Sequence, residues 1–219
     1  MKKAFASVLF LFLFISLQAQ QFYIQYGPVL SQFDYVDSEG EELGDLRSSN
    51  KNSLGAGGRI SLFHTPAHIS LGLSNDRFAS TSTDPILGNY SEWDASFLGI
   101  NFGADYEFFK PEIRNIDRNG FSFCLKAGMS ADILINGKQK LNNQLYDLKN
   151  VEEFDEPVWF VKGGVIFNYY FTRSYKAFVE YMFGKSFLIG DYTNQEQLKY
   201  TTHSIGLGFS VDLFYRRNK

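Results

Sequence analysis

The side chains of this 219-residue chain best suited to chemistry are three histidines, one cysteine and charged residues scattered among glycines and serines. Hydrolysis or acyl transfer needs a His beside Asp and Ser, or two carboxylates, converging on one open site. His64 and His68 instead flank Pro66 in a short turn, and His203 stands alone in an alternating run. We expect no enzyme from them. The acidic runs Asp37-Ser38-Glu39-Gly40-Glu41-Glu42 and Glu152-Glu153 with Asp155-Glu156 hold oxygens that suit Ca²⁺, but not at the spacing of a calcium loop. They read as solvated loops. Gly55-Ala56-Gly57-Gly58 is followed by no helix and no P-loop lysine, so it is not a phosphate cradle. Cys124, the lone thiol, is expected to be packed rather than reactive. Neither a metal nor a cofactor is expected. Five charges stand out by position: Arg59, Asp105, Lys126, Glu180 and Asp212 each fall on the small-residue side of a segment with a period of two.

Eight such segments run along the chain. In the last, His203, Ile205, Leu207, Phe209, Val211, Leu213 and Tyr215 face one way; Thr202, Ser204, Gly206, Gly208, Ser210 and Asp212 face the other, until Phe214 breaks the rule. The fourth sets Leu98, Ile100, Phe102, Ala104, Tyr106 and Phe108 against Phe97, Gly99, Asn101, Gly103, Asp105 and Glu107. The others are predicted at 22–35, 54–63, from 69 to about 75, 121–133, 159–171 and 176–184. In the first, Phe33 and Tyr35 shift parity, which a β-bulge would explain. Short links at Thr65-Pro66-Ala67 and Thr172-Arg173-Ser174 alternate with long ones at 36–53, 80–91, 136–157 and 190–199. Short turns on one side and long loops on the other are the habit of outer-membrane barrels. The link 110–119 is the exception, a longer connection on the short-turn side.

The pattern also says which face meets lipid. A soluble lipocalin-like barrel, the alternative, would put its bulky apolar face inward and an even spread of Lys, Glu and Thr outside. Here the minor face is Gly, Ser and Asn with a few charges, which suits the crowded interior of an eight-stranded barrel. On the lipid face each Lys or Arg at mid-depth would cost about 2–4 kcal/mol. Arg59, Asp105, Lys126, Glu180 and Asp212 fall at comparable depths, so we expect an ion-pair cluster inside the barrel, because charges withdrawn from water need partners. An interior so filled leaves no path for bulk solute; a narrow pore is a further alternative.

The ends and composition agree with export. Lys2 and Lys3, the apolar stretch Ala4 to Leu17, and Leu17-Gln18-Ala19 form a secretory signal, with cleavage expected after Ala19. The barrel is then expected over residues 20–215, with a basic tail at 216–219. Of 21 basic residues two lie in the leader, so the mature chain carries a net charge near −5 against 24 acidic residues. That balance argues against nucleic acid. With one cysteine there is no internal disulfide. The 23 Phe and 13 Tyr suit strands and aromatic girdles at a membrane surface.

Several stretches resemble the PorT-like outer-membrane β-barrel family, small barrels of the OmpA/OmpX type. They are Phe22-Tyr23-Ile24-Gln25-Tyr26-Gly27-Pro28-Val29-Leu30-Ser31, the segment Phe121 to Ile135, and Phe160 to Phe171 leading into Ala177-Phe178-Val179-Glu180-Tyr181. The closing Gly206-Leu207-Gly208-Phe209 matches as well. The resemblance implies a closed all-β antiparallel up-and-down membrane barrel in the bacterial outer membrane, set beside type IX secretion and gliding systems, and it brings no catalytic motif. Gly208, Val211, Leu213 and Tyr215 also resemble the signal read by the barrel-assembly machinery, although Arg216-Arg217-Asn218-Lys219 follow it. The partners so implied are outer-membrane lipid, the assembly machinery, and a protein or surface polymer at the charged loops 36–53 and 136–157.

Overall fold

The computed structural model describes residues 21–36, 46–62, 65–83, 90–109, 120–141, 144–149, 156–172, 174–187 and 197–213. The export signal expected over 1–19, the tail 216–219 and the residues Tyr215 and His64 lie outside the described residues.

Among the described residues nine strands follow one another: β1 (Gln21–Val36), β2 (Leu46–Ser61), β3 (Ala67–Thr83), β4 (Tyr90–Phe108), β5 (Gly120–Leu141), β6 (Gln144–Asp147), β7 (Val158–Tyr170), β8 (Tyr175–Phe187) and β9 (Gln197–Asp212). Each long strand pairs antiparallel with its neighbours in sequence. The first and last long strands zip together from Gln21 opposite Asp212 to Val36 opposite Gln197. The sheet therefore closes on itself as an eight-stranded up-and-down barrel, and closure leaves the eight long strands no free edge. The four-residue β6 is a hairpin return on the far end of β5, beyond the reach of β7.

Both ends of the barrel wall, Gln21 and Asp212, share one rim with the short connections; we call it the turn end, and the opposite rim the loop end. Two of its turns are held by local bonds. Leu62 N donates to Ala67 O (2.8 Å) and Thr65 Oγ1 to Leu62 O (2.6 Å). Thr172 Oγ1 accepts from Ser174 N and Tyr175 N (3.2 and 3.1 Å), a hydroxyl standing in for a backbone acceptor. After β4, Phe109 takes φ 55°, and the strand ends there because left-handed backbone cannot continue a pleat.

Side chains alternate across the wall as a period of two requires. Outward stand Ile24, Tyr26, Leu54, Phe102, Leu125, Met129, Val161, Phe167, Val179, Ile205, Leu207 and Phe209, all exposed. Inward stand Ser70, Ser74, Asp105, Ser122, Asn168, Glu180 and Ser210, all buried. From His203 to Leu213 the outward apolar face covers about 25 Å, at about 3.3 Å per residue and a tilt of about 40°, the height of a membrane barrel's apolar band. Near the turn end it closes with a belt of rings: Tyr106 on Phe108, Phe108 on Phe123, Phe123 on Phe167, Tyr169 on Phe171, and Phe171 on Phe209 at 4.8–6.1 Å. Greasy outside and polar within, this is a membrane-spanning barrel.

Three features differ from expectation. The strands run further toward the loop end, so β2 starts at Leu46, β4 at Tyr90 and β9 at Gln197, while β3 reaches Thr83 and β5 reaches Leu141. The links expected at 36–53, 80–91, 136–157 and 190–199 are shorter for it. Second, β1 has no register shift in either pairing. Phe33 is an ordinary inward residue, buried at the loop end; the chemistry of the interior changes there, not the parity of the strand. Bulges occur elsewhere, between Ser48 and Ser53 against β3 and at Ser96/Phe97 against β5. Third, β6 has no counterpart among the eight expected segments.

Candidate functional site

The lumen has three storeys. At the turn end, Arg59 on β2 is the hub. Its Nε donates to Asp105 Oδ2 (2.9 Å) and its Nη2 to Asp105 Oδ1, a two-pronged pairing that suits the planar guanidinium. Its Nη1 donates to Gln21 Oε1 (3.2 Å), and Gln21 in turn donates to Asp212 Oδ2 (3.2 Å). His68 Nδ1 lies 3.0 Å from Arg59 Nη2 and 3.3 Å from Asp105 Oδ1. Cys124 Sγ accepts from Arg59 Nη2 (3.6 Å) and from Asn168 (3.3 Å). Nearer the rim, Glu107 accepts from Ser122 Oγ (2.5 Å) and from the Tyr170 hydroxyl, and the Lys176 ammonium stands 5.5 Å over the Tyr170 ring.

One storey up, Lys126 Nζ donates to Glu180 Oε2 (2.6 Å), and Gln25 donates to Glu180 Oε1 (3.3 Å). Lys126 also lies 5.9 Å from the Tyr23 ring centre. Register explains the meeting of storeys, since Asp105 faces Lys126 across β4 and β5 and His68 faces Asp105 across β3 and β4. Arg59, Asp105, Lys126 and Glu180 line one small cavity of about 30 Å³, room for roughly two waters. The structure thus places two ion pairs beside one cavity, with Asp212 joined to the first pair through Gln21 at the rim.

The third storey reverses the polarity of the lumen. Val29, Phe33, Phe78, Ala95, Phe97, Phe160, Leu148 and Tyr200 form a buried cluster inside the loop end. Phe78 touches Phe97, Phe160 and Tyr200 with ring centres 5.3–5.8 Å apart. Leu148, just past β6, tucks into the same cluster, its N–H bonded to Gly137 O (3.0 Å). This closure was not expected from sequence, and neither were the roles of His68, Gln21 and Tyr170. Strand parity could have found His68, which lies on the same face of β3 as Ser70 and Ser74.

His68 is buried inside the turn end, and His203 lies on the outer wall at 2.8 Å from the Tyr181 hydroxyl with the Phe183 ring 5.2 Å away. The two described histidines are therefore on opposite sides of the wall and cannot share a site. Of the residues resembling an assembly signal, Leu213 is exposed and Gly208 faces the lumen, where a Cβ would overlap the Phe178 ring. Val211 is half-buried opposite Phe22 in the β1–β9 seam.

No protein-family model matches the chain, and no curated protein matches it. Among solved structures it is similar to neisserial surface protein A, at 15% identity over 88% of this chain and 97% of that one, with a TM-score of 0.46. It is similar also to the outer membrane protein OprG from Pseudomonas aeruginosa, at 15% identity over 89% and 97%, TM-score 0.45. The outer membrane protease OmpT from Escherichia coli is a further likeness, at 10% identity over 88% and 96%, TM-score 0.43.

Proposed function

We propose that this chain is a non-enzymatic barrel of the bacterial outer membrane that acts as a structural or interaction protein at the cell surface, in the setting of type IX secretion that its PorT-like sequence features imply. The observation that carries the reading is the apolar outer wall around a lumen filled at both ends. The wall suits acyl chains, and the aromatic closure with the ion pairs below it leaves function to the loop-end surface. There β4 and β5 stay paired up to Ser91 opposite Leu141, well past Val158 of β7, which stops opposite Asp132, and β5 turns back as β6, displaying Tyr90, Leu145 and Tyr146 to solvent. A partner protein or surface polymer would meet this lip. The soluble carrier alternative needs an apolar ligand cavity, whereas the lumen's apolar part is packed ring against ring. The narrow-pore alternative meets the same closure.

Membrane fractionation and gel electrophoresis of unheated and boiled samples test the reading. The chain should be recovered with outer membranes and migrate differently until boiled. Recovery in the soluble fraction refutes it. The secretion setting is checked separately, by deleting the gene in its own host. Unchanged export of type IX cargo would remove that part and leave the barrel.

A further inference from the structure

The pairing of β1 with β9 runs from Gln21 opposite Asp212 to Tyr26 opposite Leu207, lapses at Gly27 and Pro28, and resumes in the same register at Val29 opposite Ser204. Proline has no N–H for a ladder, and strands with neighbours on both sides exclude it. β1 lies between β2 and β9, yet Pro28 stands in its middle, exposed on the outer wall between Tyr26 and Leu30. In the closed barrel the residue is out of place.

It is in place on an open sheet. The β1–β9 seam joins the two ends of the barrel wall, with Gln21 and Asp212 191 residues apart in sequence, whereas the other long strands pair with their neighbours along the chain. The entropy of loop closure leaves such a seam until after the hairpins. Until then β1 is a sheet edge, where proline is tolerated and where an unpaired strand recruits wrong partners. One such partner is a second copy's β9, whose Ile205, Leu207 and Phe209 are apolar and face outward. The interruption weakens pairing with any strand. The β9 of the same chain is tethered, at a high effective concentration, and still closes. Gly27 lets it close: a Cβ there would overlap Ile205 O, 1.9 Å away, and crowd Gly206 Cα at 3.1 Å, so the two backbones meet only because the side chain is missing.

We propose that Gly27-Pro28 guards the seam: Pro28 keeps β1 from pairing with a second copy of the chain while the sheet is open, and Gly27 admits the chain's own β9 across the interruption. The full chain is refolded from urea into detergent over a range of protein concentrations and run unheated on gels, beside its urea unfolding midpoint. Pro28→Val restores an N–H. It should form boiling-sensitive dimers and larger species severalfold more than the wild type, increasingly so at higher concentration, while its folded monomer unfolds at an equal or higher midpoint. A variant that stays as monomeric as the wild type overturns the guard. So does one whose monomer unfolds at a lower midpoint, because its linked species then come from a weakened barrel. Gly27→Ala, which keeps Pro28, is the second measure and decides where Pro28→Val gives no folded monomer. It should stall as an unclosed monomer, and only the double variant should link chains. Linking by Gly27→Ala alone, to the extent seen in the double variant, refutes the proposal.

Discussion

Arg59 shows what one residue does for this barrel. Its guanidinium meets Asp105 with two nitrogens and Gln21 with the third, and it touches His68 and Cys124 besides. No lysine could fill that role, because an ammonium is a point charge without the planar fork. Removing one member of a buried pair leaves the other charge uncompensated, which costs about 3–5 kcal/mol. Arg59→Met should therefore destabilise the barrel by about that much, and Asp105→Leu by a similar amount. The double variant should recover much of the loss, since two apolar groups of similar size replace a pair that had to be desolvated. Urea unfolding of the four proteins in detergent checks this, and losses that simply add would show that the two side chains are not coupled. Parity alone placed Arg59, Asp105, Lys126 and Glu180 on the inner face. It could not show that Arg59 reaches Gln21 and through it Asp212, because those contacts depend on how strands distant in sequence align around the ring.

At the scale of the strand, the middle of each element was legible and its loop end was not. The reason is a change of sign. Through the apolar band, bulky means outward. Near the loop end Phe33, Phe78, Phe97, Phe160 and Tyr200 turn inward, while Gln32, Asp34, Asn75 and Arg77 face out, and Arg77 and Lys51 both pair with Asp94 at 2.8 and 2.7 Å. Alternation continues, but a reader who equates apolar with lipid sees a strand lose its pattern at Asn75 or slip at Phe33. Water above the band permits polar outward residues, and the lumen there needs filling. Spin labels make the boundary measurable. Labels at Phe102, Phe167 and Leu207, which are 54%, 57% and 63% exposed, should relax with dissolved oxygen, as probes in acyl chains do. Labels at Asn75 and Arg77 should respond to a water-soluble nickel complex instead. A label at Asn75 that behaves like the one at Leu207 would place the outer thirds of the strands in lipid and contradict this division.

For the whole molecule, the closures at the two ends act in series. Eight strands enclose a lumen that side chains can fill, and here they fill it twice, with rings at the loop end and with ion pairs at the turn end. A solute would have to pass both. Phe97 is the test of the upper one, fully buried with Phe78 at 5.3 Å and Tyr200 at 6.0 Å from its ring. Phe97→Ala should cost about 3–5 kcal/mol, as large-to-small changes in packed cores do, and should lower the unfolding midpoint. It should not create a channel, because Arg59, Asp105, Lys126 and Glu180 still occupy the lumen below. In planar bilayers both the wild type and Phe97→Ala should therefore be silent. Stepwise conductance in the wild type would mean that neither closure seals the barrel. Steps appearing only in Phe97→Ala would mean that the rings alone do so, and that the ion pairs stand in a lumen wide enough for water and ions to pass around them.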